Sequence, residues 1–272
     1  MDTIWEVCED LWTRIKAILQ QDWRPSPKGG QPPADWRLMF NGIIHRLRSG
    51  CQWNHLPKQF GSDRTIHRWF QRWCRNGVMA QIWAVLVDER DELAAVQWEW
   101  QSADGRLGKA RFGGKKVGKN PTDRGKNGTK PSVLVDGAGG PLGAVVAAAN
   151  VNDHLLLGQT IEAIVVERPR PTTRRPQHLC LDADYDNPAS REVVAAHRYT
   201  PHICPAKKEQ RGRWRRRGYR ARRWVVERTL AWLSKCRGLL VRYDKHDVNY
   251  LGLLQLACGL LWYRRLHRLQ AT

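Results

Sequence analysis

No CxxC pair occurs in the 272 residues, although seven cysteines are present, at positions 8, 51, 74, 180, 204, 236 and 258. An odd number at wide spacing argues against a zinc knuckle or a disulfide framework, and the thiols read as ordinary buried groups in a reducing cytosol. Long hydrophobic runs are also missing. The longest, Leu251 to Trp262, spans 12 residues, contains Gln255 and leads into Arg264, Arg265 and Arg268. A membrane span needs about 20 apolar residues, so a buried helix is expected there and no membrane partner. The opening MDTIWEVCEDLW lacks the basic-then-apolar order of a secretion signal, which points to a cytoplasmic location. Acid is the third shortage: 26 Asp and Glu face 46 Lys and Arg, for a formal charge of +20 and an isoelectric point near 10.2. That surplus calls for a polyanionic partner, nucleic acid first. The 42% of apolar residues suffices for a core, in one large domain or two small ones.

The positive charge is unevenly placed. Residues 1–95 hold 13 basic and 11 acidic groups, whereas the remainder holds 33 against 15. Residues 106–130 contain nine Lys or Arg opposed only by Asp123, and RGRWRRRGYRARR at 211–223 contains eight Arg. Blocks of like charge commonly form solvated surface or mobile tails. Interleaved Gly, Trp214 and Tyr219 favour a nucleic-acid groove instead, because phosphates neutralise the charge and aromatic faces stack on bases.

The first 94 residues read as helical. Ile4, Trp5, Cys8, Leu11, Trp12, Ile15 and Leu19 recur at helical spacing up to about Gln21, followed by the linker WRPSPKGGQPPAD. Asp35 can cap a second helix carrying Leu38, Met39, Ile43, Ile44 and Leu47 and ending near Gly50; Ser62 or Asp63 can cap a third. In the third, Ile66, Trp69, Phe70 and Trp73 can face inward while Arg64, His67, Arg68, Gln71 and Arg72 face out, as a helix in a DNA groove requires. A fourth is expected from Met79 to Asp91. A helix-turn-helix-like DNA-binding module and a plain helical bundle both fit, because amphipathic spacing reports burial rather than groove reading.

From residue 95 to 272 the period changes. Val96–Ala103, Ser132–Asp136, Leu142–Ala149, His178–Leu181 and Pro201–Cys204 read as strands, with GAGGP at 137–141 as a hairpin turn. Helices are expected over 155–166, 188–197 and 222–237. The order suggests an α/β domain with a sheet of mixed direction.

In this basic half, Asp104 follows the first strand, Asp182 follows the fourth, and Glu227 lies in the long helix with Arg223 four residues before it. Three hard oxygen donors on separate elements suit Mg²⁺, and two such ions serve the attacking and departing oxygens of an in-line phosphodiester displacement. Singly, each acid has a plainer reading as a turn residue, a cap or half of an ion pair.

The segments GKNPTDRGKNGTK (118–130), LDADYD (181–186) and RRWVVERTLAWLSKCRGLLVRYDKH (222–246) resemble bacterial insertion-sequence transposases of the DDE class, in the insertion-sequence-five family. NGIIHRLRSGCQWNHLPKQFG (41–61) and TIHRWFQRWCRNGV (65–78) are similar to that family's N-terminal domain, so the resemblance covers nearly the whole chain. It implies an RNase H-like catalytic domain whose acidic triad, here Asp104, Asp182 and Glu227, binds two Mg²⁺ or Mn²⁺. It also implies an N-terminal domain that contributes to binding terminal inverted repeats. Asp184 stands where Gly is commoner. In the family's Tyr, Arg, Glu, Lys signature Arg223 fits the arginine, while Arg220 and Ser234 stand at the tyrosine and lysine positions, one residue from Tyr219 and Lys235. Asn150 and Asp153 in ANVND also match a family motif and are expected to shape a loop beneath the site. DNA contacts are expected from Arg64, Arg68, Arg72, Lys126, Lys130, Arg220, Arg223, Arg228 and Lys235. The expected partners are terminal-repeat and target duplexes and, because two ends must be handled together, a homodimer or larger assembly on DNA. A domesticated DNA-binding regulator and a non-mobile nuclease on the same fold are the competing functions.

Overall fold

The computed structural model describes residues 4–23, 35–92, 96–205 and 222–270. Four helices come first: α1 (Glu9–Asp22), α2 (Trp36–Ser49), α3 (Asp63–Arg75) and α4 (Val78–Glu92). Their ends are set locally. The Asp35 carboxylate accepts from the N–H groups of Arg37 and Leu38, and Gly50 closes α2 at φ 70°. In α3, Ile66, Phe70 and Trp73 are buried while Arg64 and Arg68 are exposed, as the spacing predicts; Trp69 is only half-buried.

Eight strands form one mixed sheet among the described residues: β1 (Trp100–Gly105), β2 (Gly108–Ala110), β3 (Gly118–Lys119), β4 (Asn127–Asp136), β5 (Pro141–Ala148), β6 (His178–Leu181), β7 (Thr200–Ile203) and β8 (Val241–Arg242). β1 is antiparallel to β4, and β4 to β5; on its other side β1 is parallel to β6, and β6 to β7. An antiparallel trio extended by two parallel strands is the RNase H-like arrangement. Helices α5 (Asp153–Glu162), α6 (Pro188–Ala196), α7 (Trp224–Ser234), α8 (Arg237–Leu240) and α9 (Asp247–Gln270) complete the fold.

The β4–β5 hairpin is built around Asp136. Its fully buried carboxylate accepts from the N–H groups of Ala138 (3.0 Å), Gly140 (2.5 Å) and Gln97 (3.1 Å), and Gly139 takes φ 86°. The 12-residue apolar run lies inside α9, which is 24 residues long; no helix among the described residues is long and apolar enough to cross a membrane. α9 runs between the two parts of the chain. The indole N–H groups of Trp83 on α4 and Trp262 on α9 both donate to the Pro141 carbonyl, and one hydrophobic core takes in side chains from α1 to α9.

Several boundaries differ from the sequence expectation. The first strand starts at Trp100 and runs to Gly105, so that Asp104 lies within the strand rather than following it. β4 starts five residues early because Gly128, Thr129 and Lys130 already pair with β2, β3 or β5. The long helix breaks after Ser234 and resumes as the short α8.

Candidate active site

Register brings the first two acids together. β1 and β6 are parallel neighbours with Ser102 opposite Cys180, so Asp104 and Asp182, each two residues further on, emerge side by side, and both reach Arg223 Nη1. β6 stops at Leu181, and Asp182 then caps a 3₁₀ turn (Ala183–Tyr185) by accepting from the Asp184 N–H at 3.0 Å. Because the chain turns there, Asp184 points to solvent while Tyr185 is buried.

α7 supplies the third acid. Its position is fixed against the β4–β5 hairpin: Thr229 Oγ1 donates to the Gly139 carbonyl at 2.6 Å, and Arg228 Nη2 to the Ala138 carbonyl at 2.6 Å. Val225 and Val226 are buried on the same side, which leaves Glu227 half-exposed above the sheet edge. Ser102 Oγ on β1 ties the approach to the helix by donating to the Arg222 carbonyl at 3.2 Å.

The three carboxylates meet on one cation. Arg223 Nη1 lies 2.9 Å from Asp182 Oδ2 and 3.8 Å from Asp104 Oδ2, and its Nη2 lies 2.5 Å from Glu227 Oε1. No cluster of His, Cys, Asp or Glu at metal-ligating spacing is present among the described residues; the guanidinium sits at the point where the acids converge. Three ionised acids against one guanidinium leave two negative charges uncompensated. Burial pushes the Asp104 carboxyl up to about 6, the nearby Asp182 charge adds to the rise, and the Gly105 N–H and Arg223 offset part of it. Asp182 is raised too, by burial first and by Asp184 and Asp153, against the Asp184 N–H and Arg223. Hard oxygen donors whose ionised forms lack positive charge fit divalent cations of the Mg²⁺ or Mn²⁺ type.

A second layer supports Asp104. The buried Lys130 ammonium donates to Asp153 Oδ2 at 2.7 Å and to the Val151 carbonyl at 2.8 Å. Asp153 Oδ1 is buried without a hydrogen-bond partner and abuts Gly105, where any Cβ would collide with it. Asp153 thus stands behind the end of β1. Sequence marked ANVND as loop-shaping but held no sign that Lys130 turns inward to meet it.

The residues expected to contact DNA are dispersed. Arg64, Arg68, Lys126 and Lys235 are exposed. Arg72 is tied to α1 through Asp22 at 3.1 Å and packs over Trp69. Arg228 lies between the rings of Trp224 and Trp232, with its guanidinium 4.8 and 4.9 Å from their centroids. Lys130 is engaged by Asp153, and Arg223 by the three acids. Arg220, with Trp214 and Tyr219, lies outside the described residues.

Comparison with known proteins places two family profiles on the chain. Residues 7–83 match the family described as "Putative transposase of IS4/5 family", and residues 98–262 match "Transposase DDE domain". The chain is 34% identical over 160 residues to the Burkholderia cepacia protein described as "Putative transposase for insertion sequence element IS402", covering 58% of this chain and 74% of that one. It is 30% identical over 104 residues to protein y4sN of Sinorhizobium fredii, covering 38% and 74% respectively. Among solved structures, the catalytic domain of Mos1 mariner transposase aligns at 11% identity and a TM-score of 0.27, over 67% of this chain and 88% of that one.

Proposed function

The chain belongs to the DDE-domain transposase family, and from that premise we propose that it frees the 3′ ends of an insertion sequence and joins them to target DNA at Asp104, Asp182 and Glu227. One observation carries the reading: a single guanidinium touches carboxylates from β1, from the end of β6 and from α7. Elements remote in sequence converge there on the end of the sheet where the strands give out, as a ligand crevice requires.

Asp104, Asp182 and Glu227 would hold two Mg²⁺ or Mn²⁺ ions. When bound, such ions supply activation of the attacking oxygen and stabilisation of the departing 3′ oxygen. The residues of the chain do the rest. Asp104 is held by a paired strand and Asp182 by the turn that closes β6, and the Lys130–Asp153 pair backs the main chain at Gly105. Arg223, once released from the acids, is within a side chain's reach of a phosphate placed between them. Residues 1–94 act as the helical DNA-binding part and 95–272 as the catalytic part, on terminal repeats and target duplex in the bacterial cytoplasm, at the nucleoid. Two ends are joined in concert by a homodimer or larger assembly.

The test is a purified Asp182→Asn protein on a terminal-repeat duplex with Mg²⁺. We expect binding at the parent's affinity with nicking and strand joining reduced at least 10³-fold, the order of loss from removing a metal-ion contribution of several kcal/mol. Undiminished product formation would sink the assignment. Binding without products in the parent itself would point to the regulator, and nicking without joining to the nuclease.

A further inference from the structure

A cleft of about 1350 Å³ separates the helical part from the sheet, walled on one side by the α2–α3 turn and the start of α3, and on the other by β2, the β3–β4 turn and the chain after β8. Four exposed cations line it: Arg64 from α3, Lys109 and Arg111 from and after β2, and Lys126 before β4. The three-residue β2 alternates buried, exposed, buried, which turns Lys109 outward, where Asp123 at 3.7 Å offsets it in part. Two large aromatic rings stand exposed at the same opening, Phe112 and Tyr243, edge to face with centroids 6.0 Å apart. Exposed aromatics among cations are the features of a surface that meets a sugar–phosphate backbone with base edges or faces beside it.

The cleft is held rigid from behind. Arg46 on α2 and Asp244 after β8, both buried, pair at 3.4 Å across the two walls, and the Trp53 ring stacks on His67 at 4.6 Å beside them. On the far wall the buried Arg242 guanidinium donates to the carbonyls of Lys115, Lys116, Asp244 and Lys245, which pins the basic loop following β2. The backbone segments that carry the cations are therefore fixed before any ligand arrives.

Distance to the acids can be read along β4. Asp104 pairs with Val133 and the cleft residue Lys109 with Gly128, five residues apart on that strand, or about 17 Å at 3.4 Å per residue. For a duplex lying along β4, at a rise of about 3.4 Å per base pair, this is on the order of five base pairs. We propose that this cleft grips duplex DNA on the order of five base pairs from the scissile phosphate, through the Lys109, Arg111 and Lys126 cations with Phe112 and Tyr243 at its edge. The inference rests on the transposase reading and adds to it the surface and the register of the grip.

The test measures binding of a terminal-repeat duplex by the full chain at several salt concentrations, with single methylphosphonates scanned outward from the cut position. Lys109→Ala/Arg111→Ala/Lys126→Ala should lower the slope of log K against log salt by roughly 2 to 3, about 0.9 per lost phosphate contact. It should also erase the interference the parent shows about five base pairs from the cut. Phe112→Ala/Tyr243→Ala should weaken binding about tenfold with the slope unchanged. Arg170→Ala/Arg174→Ala/Arg175→Ala removes equal charge from exposed residues preceding β6, at the opposite end of the sheet from Asp182, and should leave both readouts as in the parent. Should the first triple fail to fold, Lys126→Glu alone, at an exposed turn, should remove the same methylphosphonate signal. A parent-like slope and scan in the cleft variants would overturn the inference while leaving the transposase reading intact. A parent that binds no duplex would overturn both.

Discussion

Arg223 occupies the position at which positive charge is needed, and its removal should have two opposed effects. Arg223→Gln takes a competing cation from the acids, so Mn²⁺ followed by electron paramagnetic resonance should bind about tenfold more tightly, a gain of roughly 1.4 kcal/mol. Strand joining should fall in the same variant, because a phosphate would lose its guanidinium partner. Unchanged Mn²⁺ affinity would show that the guanidinium does not compete. Asp104 adds a pH dependence. Its folded carboxyl titrates at about 6, above its unfolded value of 3.8. The protonated group therefore favours the fold below pH 3.8, and that contribution disappears as pH rises through 6. Asp104→Asn should accordingly raise stability at pH 8, on the order of 1–3 kcal/mol in denaturant titrations, while abolishing activity. Mn²⁺ binding by the parent should weaken as pH drops through 6. The three acids stood out in the sequence by their places at strand ends or beside an arginine in a half poor in acid, and by the family resemblance, while their meeting at Arg223 is visible only in the fold. The Lys130–Asp153 pair did not stand out, since its members meet only when α5 folds back across β4.

The end of β1 depends on a residue without a side chain. A Cβ on Gly105 would enter the space of Asp153 Oδ1, so Gly105→Ala should displace either the strand end or the Lys130–Asp153 pair. We expect a loss of about 1–3 kcal/mol, typical of overpacking, together with weaker Mn²⁺ binding; a fully parent-like melting curve and affinity would contradict the contact. A second element-level effect belongs to β6 and β7. His178 Nδ1 and His202 Nε2 lie 2.9 Å apart under the Trp100 ring, and burial, with His178 nearby, lowers His202 to about 4. The neutral form is favoured on folding, so this contribution is complete above pH 6.5 and is lost as pH falls toward 4. His202→Gln should flatten the acid side of the stability profile in that window, as read by thermal melts from pH 7 to 4. The longer elements were visible through their periodicity and caps. β2, β3 and β8, at two or three residues, are too short to show a period, and they exist because β4 and one another supply their pairing.

Across the whole molecule the composition shifts near residue 95, and packing joins the two sides of that shift. Met79 and Cys74 lie against Gly252 of α9, Trp83 against Gly259, and Leu47 and Arg46 of α2 against Gly238 of α8. Sequence could not show this, because α9 reads as a buried helix whichever neighbours bury it. Residues 96–272 alone should therefore expose the α9 face that α3 and α4 cover, and should bind hydrophobic dyes and melt without a sharp transition. The full chain should unfold in one cooperative step by calorimetry. A soluble, cooperatively melting fragment would refute this. The Arg46–Asp244 pair bridging the two walls has a mechanical corollary under the proposed transposase reading: α2 and the chain after β8 are tied together, so curvature demanded on binding duplex falls on the nucleic acid. Easily kinked pyrimidine–purine steps near the cut should thus be favoured substrates over stiff A-tracts, a preference that circular-permutation gels can measure.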